Sequence, residues 1–188
     1  MSMDLGRWDS VVADVMHSPR DAGTVRMVVA RPADLERQVL EVGRFDTEHG
    51  LLGDNWEARG STRTTDGSAH ADMQVAVTNA RWMDGISHGD ASLWPLAGDQ
   101  LYVDLDLSAA NLSTGDELRI GDARFVVTAV PHNGCKRFAE RFGVDTVERM
   151  STPEGKRLHL RGIYVRVVVS GDVRPGDPIT VVRVAAQV

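Results

Sequence analysis

Apolar and polar residues alternate along several short stretches of this chain, and the alternation predicts most of its strands. In residues 100–107, Leu101, Val103, Leu105 and Leu107 fall on one face, and Tyr102, Asp104 and Asp106 on the other. A strand with an apolar face and a face toward solvent produces that pattern, and it points the two aspartates outward rather than at a metal. Residues 72–78 set Met73, Val75 and Val77 against polar or small neighbours in the same half-buried way. Residues 124–130, 163–169 and 179–184 are valine-rich runs that also read as strands. β-branched residues at 11–16 and 24–30 flank a Ser-Pro-Arg-Asp-Ala-Gly turn signal and predict a first hairpin.

Helical signals are briefer. Pro32 suits the first turn of a helix over residues 34–42. Asn79 is placed to cap a helix over residues 80–86, its side chain accepting from the free amides of the first turn. Residues 50–56 predict a turn that carries a buried aromatic, Trp56. Residues 112–118 and 173–179 each put Gly-Asp just before an apolar strand; the glycine permits the turn, and the aspartate can bond its backbone. Residues 57–71 have no apolar period and predict a mobile surface loop, solvated although Arg59 and Arg63 could touch an anion. Many short strands between turns, with few and brief helices, predict a mainly β fold of the α+β class: a closed or nearly closed β-barrel with short peripheral helices. With no break in composition, one domain over residues 1–188 is expected.

Charge and cysteine content narrow the function classes. A formal net charge of -6 gives no electrostatic reason to expect nucleic acid. The first residues have neither a cationic start nor an apolar run, so no signal peptide is expected, and no stretch approaches the ~20 apolar residues of a membrane helix, so no membrane association is expected either. One cysteine excludes an intrachain disulfide, and a cytoplasmic location is expected. His17, His49, His70, His88, His132 and His159 form no close pair of the H-x-x-x-H type, so a zinc site is not expected.

The candidate chemistry sits in residues 130–143, Val-Pro-His-Asn-Gly-Cys-Lys-Arg-Phe-Ala-Glu-Arg-Phe-Gly. Pro131 cannot continue a central ladder, so the preceding strand stops there. His132, Asn133 and Gly134 make a turn. From Cys135 onward, Phe138 and Phe142 recur at helical spacing, Arg137 and Arg141 form an i, i+4 pair, and Gly143 stands where a C-terminal cap belongs. A cysteine at a helix N-terminus beside Lys136 and Arg137 is expected to favour thiolate over thiol, and the helix end can attract an anion. His132, three residues before the cysteine, can polarise the thiol, contact a ligand, or simply cap the turn. By residue type alone, Cys135 can equally be a small buried hydrophobe covered by Phe138 and Phe142.

The segment from His132 to Gly143 resembles the cysteine segment of MOSC domains, the family named after the C-terminal domain of molybdenum-cofactor sulfurases. Leu101-Tyr-Val-Asp-Leu-Asp-Leu-Ser-Ala-Ala-Asn-Leu112 and Thr114-Gly-Asp-Glu-Leu-Arg-Ile-Gly121 are similar to the stretches that precede the cysteine in that family. Leu160-Arg-Gly-Ile-Tyr164 and Gly176-Asp177 are similar to its closing part, and residues 50–56 to an earlier Gly-Asp element. The resembling region runs over residues 98–184.

The resemblance implies a β-barrel core and a protein that carries sulfur or binds molybdenum cofactor, with a sulfurtransferase-type or cofactor-dependent activity. Cys135 would carry a persulfide or ligate the metal of the cofactor. His132, Asn133, Lys136, Arg137, Arg141, Arg161 and Asn111 are the candidate cofactor-binding residues. Arg161 can lend its charge to a ligand pocket or make a surface salt bridge, and of the two loop residues Asp99 and Asn111 only Asn111 is taken as a ligand contact. No pyridoxal-phosphate site is expected, so a cysteine desulfurase or a molybdoenzyme is the expected partner, with a small anionic ligand. Without the extra barrel of amidoxime-reducing relatives, reduction of N-hydroxylated substrates is not expected. The residues themselves leave an alternative open, a non-enzymatic barrel binding a small ligand or partner, with Cys135 structural.

Overall fold

A computed structural model describes residues 5–184. In chain order its elements are α1 (Leu5–Met16), β1 (Ala22–Ala30), β2 (Gln38–Leu40), β3 (Gly43–Asp46), β4 (Gly50–Leu51), α2 (Trp56–Arg59), β5 (Val75–Asn79), α3 (Ala80–Ile86), β6 (Leu101–Asp104), β7 (Glu117–Ile120), β8 (Ala123–Val127), α4 (Lys136–Phe142), α5 (Val144–Ser151), α6 (Pro153–Arg157), β9 (Ile163–Val169), β10 (Gly171–Val173) and β11 (Pro178–Val182). Two 3-10 turns, Ala71–Met73 and Ala91–Ala97, complete them.

Seven strands close a mixed barrel in the order β1-β11-β7-β8-β9-β5-β6 and back to β1. The β5–β6 pairing is parallel and the others are antiparallel. Closure rests on β1, whose register shifts between Val25 and Met27 as it runs along β6. Its first residues pair with β11, Gly23 opposite Ile179, and its last three with β2. A bulge there adds the local twist that lets one strand serve both neighbours. A small three-stranded sheet, β10-β3-β4, joins the barrel.

The barrel interior is filled by Val25, Val28, Phe45, Leu101, Val103, Phe125, Val165 and their neighbours, with Phe45 and Phe125 meeting edge to face at 5.0 Å. A second apolar layer lies outside, between the sheet and the helices, and contains Trp8, Val12, Trp82, Met83, Trp94, Tyr102 and Phe138. Both Gly-Asp corners form as expected: Asp116 accepts from the Ser113 amide and Asp177 from the Arg174 amide. Asn79 caps α3 by accepting from the amides of Arg81 and Trp82. The turn at 50–56 buries Trp56.

Four expectations about elements are corrected. Residues 11–16 belong to helix α1 rather than to a strand, so the first hairpin does not exist; Trp8, Val11, Val12 and Val15 stand at i, i+3, i+4 and i+7 and bury one stripe against α3, a helical period that outweighs β-branched propensity. Residues 34–42 are not helical, because Leu35 takes a left-handed backbone and residues 38–40 pair with the end of β1. The strand of residues 72–78 begins only at Val75, after the 3-10 turn, and is buried on both faces because the helical layer covers it. For the same reason Tyr102 faces no solvent; it is fully buried, and its hydroxyl donates to the Trp94 carbonyl at 2.7 Å. Asp104 does lie near the surface, in an ion pair with Arg81.

Candidate functional site

Strand β8 ends at Val127, and Thr128 anchors the chain beyond it by donating its hydroxyl to the carbonyls of Asp72 and Tyr164. Residues 129–134 then run without regular structure into α4. Phe138, 2% exposed, pins that helix to the outer core and meets the Phe142 ring at 4.8 Å, tilted by 36°. Burial of one such ring stabilises by roughly 2–3 kcal/mol. The packing leaves Cys135, the N-cap residue of α4, exposed. It is not the small buried hydrophobe that its residue type allowed.

Cys135 lines a cavity of about 270 Å³ whose walls come from across the chain. Six arginines line it: Arg31, Arg37, Arg59, Arg137, Arg141 and Arg161; no carboxylate does. Three of the six have acidic partners behind the wall. Arg31 forks onto the buried Asp54, Arg161 donates to Asp99, and Arg137 pairs with the exposed Asp34. Among the described residues Arg37, Arg59 and Arg141 have no acidic partner, although Arg37 donates to the Pro95 carbonyl and Arg141 to that of Leu96. Burial and the neighbouring charges of Arg141 and Arg31 push Arg37 down, and burial with Arg31 does the same to Arg59. Like charges crowded in this way are relieved by an anion.

The cavity floor is a buried polar network. The Asp99 carboxylate is fully buried, and one Arg161 nitrogen, Nη1, bonds both its oxygens at 2.8 Å. Arg161 Nη2 donates to the Ala97 carbonyl, and the guanidinium lies over the Phe138 ring at 4.7 Å. Burial pushes the Asp99 carboxyl up from its usual range while Arg161 pulls it back. The buried His132 ring stands 4.3 Å from that of Tyr164, with Nε2 at 3.7 Å from Asp99. Burial pushes His132 well below 6.5, and Arg161, Arg31 and Arg63 add to the effect, so the ring is neutral. His132 Nδ1 and Arg161 Nε are buried without a hydrogen-bond partner. Unpaired groups of this kind cost about 1–3 kcal/mol each and need a reason to persist.

Of the residues singled out from sequence, His132, Asn133, Cys135, Arg137, Arg141 and Arg161 line the cavity. Lys136 does not; it points to solvent near Glu140. Asn111 is elsewhere, its amide donating to the Arg20 and Asp106 carbonyls and accepting from Arg20 and Arg183, which ties loops together. Asp99, passed over in favour of Asn111, holds Arg161 instead. Arg31 and Arg37 carried no local signal at all. Arg161 makes a buried ion pair, not a surface one.

Among the described residues, no three His, Cys, Asp or Glu side chains gather as a metal site, and no helix is long and apolar enough to cross a membrane.

The family model of the MOSC domain matches residues 88–180. A crystal structure of the YUAD protein from Bacillus subtilis is similar, with 18% identity and a TM-score of 0.59, over 87% of this chain and 97% of that one. YiiM from Escherichia coli is similar at 19% identity and TM-score 0.57, over 88% of this chain and 72% of that one. YiiM from Geobacillus stearothermophilus follows at 15% and 0.56, over 88% and 77%. At these identities the likeness is one of fold. No curated protein sequence matches the chain.

Proposed function

Because this chain belongs to the MOSC domain family, we propose that its arginine-lined cavity binds an anionic, pterin-type molybdenum cofactor with Cys135 at its edge. The observation that carries the reading is the cavity itself: six arginines, no lining carboxylate, and an exposed thiol on the same wall. The donor set fits the group. Arg37 and Arg141 supply charge-assisted hydrogen bonds to its anionic end, and Arg161 and His132 line the same cavity. Thiolate is a soft ligand suited to a soft metal centre. When bound, the cofactor supplies a redox-active molybdenum atom. The chain supplies the charge that holds it, a neutral imidazole, and the cysteine. A reducing cytoplasmic setting, which keeps a lone exposed thiol free, belongs to the same proposal.

A second reading is favoured by the exposure of Cys135. A partner cysteine desulfurase could then transfer the outer sulfur of its persulfide to the Cys135 thiol, leaving a Cys135 persulfide and a free thiol on the donor. A molybdoenzyme would be the acceptor.

The test is purification from cells that make molybdenum cofactor, followed by metal analysis and fluorescence of the oxidised pterin. Pterin is expected with the wild type and Cys135→Ser, is lost in Arg141→Ala/Arg37→Ala, and molybdenum falls in Cys135→Ser. Absence of pterin from folded wild type overturns the cofactor reading. Intact mass after incubation with a desulfurase and cysteine decides the second: a sulfur-sized gain, absent in Cys135→Ala, is required.

A further inference from the structure

The arginine cavity continues outward. Arg59, Gly60, Ser61 and Met73 line both the cavity and a neighbouring open groove on the loop of residues 60–68, whose walls also include Thr62 and Arg63. No carboxylate lines that groove either. Asp66, the acid of the loop, is turned onto the amide and hydroxyl of Ser68. Among the described residues neither Arg59 nor Arg63 has an acidic partner.

The loop is built rather than slack. The Ser61 amide donates to the Gly67 carbonyl, the Thr64 hydroxyl donates to the carbonyls of Ser61 and Ser68, and the Arg63 amide donates to the Ser61 hydroxyl. Gly60 has a positive φ, and a Cβ on it would lie 2.2 Å from the Gly67 carbonyl oxygen, so the two ends of the loop meet only because that residue is glycine. The ring of bonds fixes the backbone that carries Arg63 beside Arg59 at the end of α2, and Arg63 is close enough for its charge to act on His132 at the cavity floor. A single anionic group in the cavity would leave this outer pair unused.

We infer that Arg59 and Arg63 form an outer anion subsite continuous with the cavity, and that the ligand carries two linked phosphoryl groups, as in a pyrophosphate ester. The inference rests on the cavity being an anion site, as the proposed function requires, and adds that the anion extends over the loop. Its inner group meets Arg37 and Arg141, and its outer group meets Arg59 and Arg63.

Isothermal titration of the full chain with inorganic phosphate and with pyrophosphate, without divalent metal, separates the two claims. Native mass spectrometry first checks that the protein carries no ligand. Pyrophosphate is expected to bind about tenfold more tightly than phosphate, the gain of one further pair of charge-assisted hydrogen bonds. Arg63→Ala brings pyrophosphate to the affinity of phosphate and leaves phosphate within about twofold, whereas Arg119→Ala, which removes a charge from β7 outside both compartments, changes neither. The subsite is overturned if phosphate binds and pyrophosphate binds no tighter, or if Arg119→Ala costs as much as Arg63→Ala. If wild type binds neither anion, the cavity reading fails and the subsite with it.

Discussion

The Asp99–Arg161 pair offers the most direct test of how the cavity floor is held. Asp99 is fully buried, and Arg161 is 8% exposed, with its Nε already unpaired. Two unit charges about 4 Å apart at an effective dielectric near 20 attract by ~4 kcal/mol. Removal of one partner from a buried pair costs about 3–5 kcal/mol, because the other charge is left without compensation. Asp99→Asn keeps one acceptor but strands the guanidinium beside Arg31 and Arg37, so about 3 kcal/mol is expected at pH 8, and the cost does not shrink at lower pH, because arginine keeps its charge and the variant lacks the proton uptake that a raised Asp99 pKa gives the wild type. Arg161→Gln strands a carboxylate instead, and a carboxylate can escape by taking a proton. Its folded-state pKa, already raised by burial, rises further once Arg161 is gone. A raised folded pKa means that the folded state binds the proton more readily than the unfolded chain. The penalty is therefore full above that pKa and relieved as pH falls through it, by up to about 1.4 kcal/mol per pH unit. Urea unfolding at pH 8 and pH 5 measures both variants and their combination. The expected result is a cost for Asp99→Asn that does not shrink at pH 5, a cost for Arg161→Gln that does, and a double variant costing less than the sum by about 2 kcal/mol or more. Single variants within about 0.5 kcal/mol of wild type, or strict additivity, would refute the pair as the support of the floor.

His132 gives a second pH signature. Its folded pKa is depressed from 6.5, so the unfolded chain takes a proton that the folded state refuses; stability is full above 6.5 and falls below it, by about 1.4 kcal/mol per pH unit. His132→Phe, which keeps a ring against Tyr164, removes that component, and parallel stability curves for the two proteins between pH 5 and 8 would contradict the assignment. Asn79 joins a helix cap to two buried bonds, donating to the Ser18 hydroxyl and the Leu105 carbonyl at 2.9 Å each. Asn79→Ala is expected to cost about 2–4 kcal/mol in chemical unfolding, while Asn79→Asp keeps the cap and recovers only part; a loss below about 1 kcal/mol would show that α3 does not depend on this residue.

The legible parts of the chain were those whose cause is local. The corners at Asp116 and Asp177, the Asn79 cap and the Cys135–Gly143 unit each depend on residues within a few positions of one another, and each forms. The misread parts were decided at a distance. Residues 38–40 are a strand because the end of β1 lies beside them, and Tyr102 is buried because helices cover its face of the barrel. Helix α1 is different, since the Trp8, Val11, Val12 and Val15 period was present in the sequence and valine content obscured it. The site divides in the same way. Arg137 and Arg141 were visible as a helical pair, but Arg31, Arg37 and Arg59 reach the cavity from the end of β1, the loop before β2 and the end of α2. Arg59 was legible only as a loop cation that could touch an anion, the solvated loop being preferred, and nothing in the neighbourhoods of Arg31 and Arg37 marks that convergence.

This division bears on what Cys135 can do. An activated nucleophile usually has a base within hydrogen-bond reach, held in turn by a third group. Such a set is half present here: Asp99 faces the His132 ring at 3.7 Å, yet His132 Nδ1 has no hydrogen-bond partner and so does not reach Cys135. The imidazole is kept neutral by burial and by three arginines, and its other partner is the Tyr164 ring. The positive charge that lowers His132 also favours an anion in the cavity beside the thiol. On the proposed reading, the same arginines that keep His132 neutral hold an anionic group in the cavity, and the reactivity of Cys135 is set by that group rather than by a base of this chain.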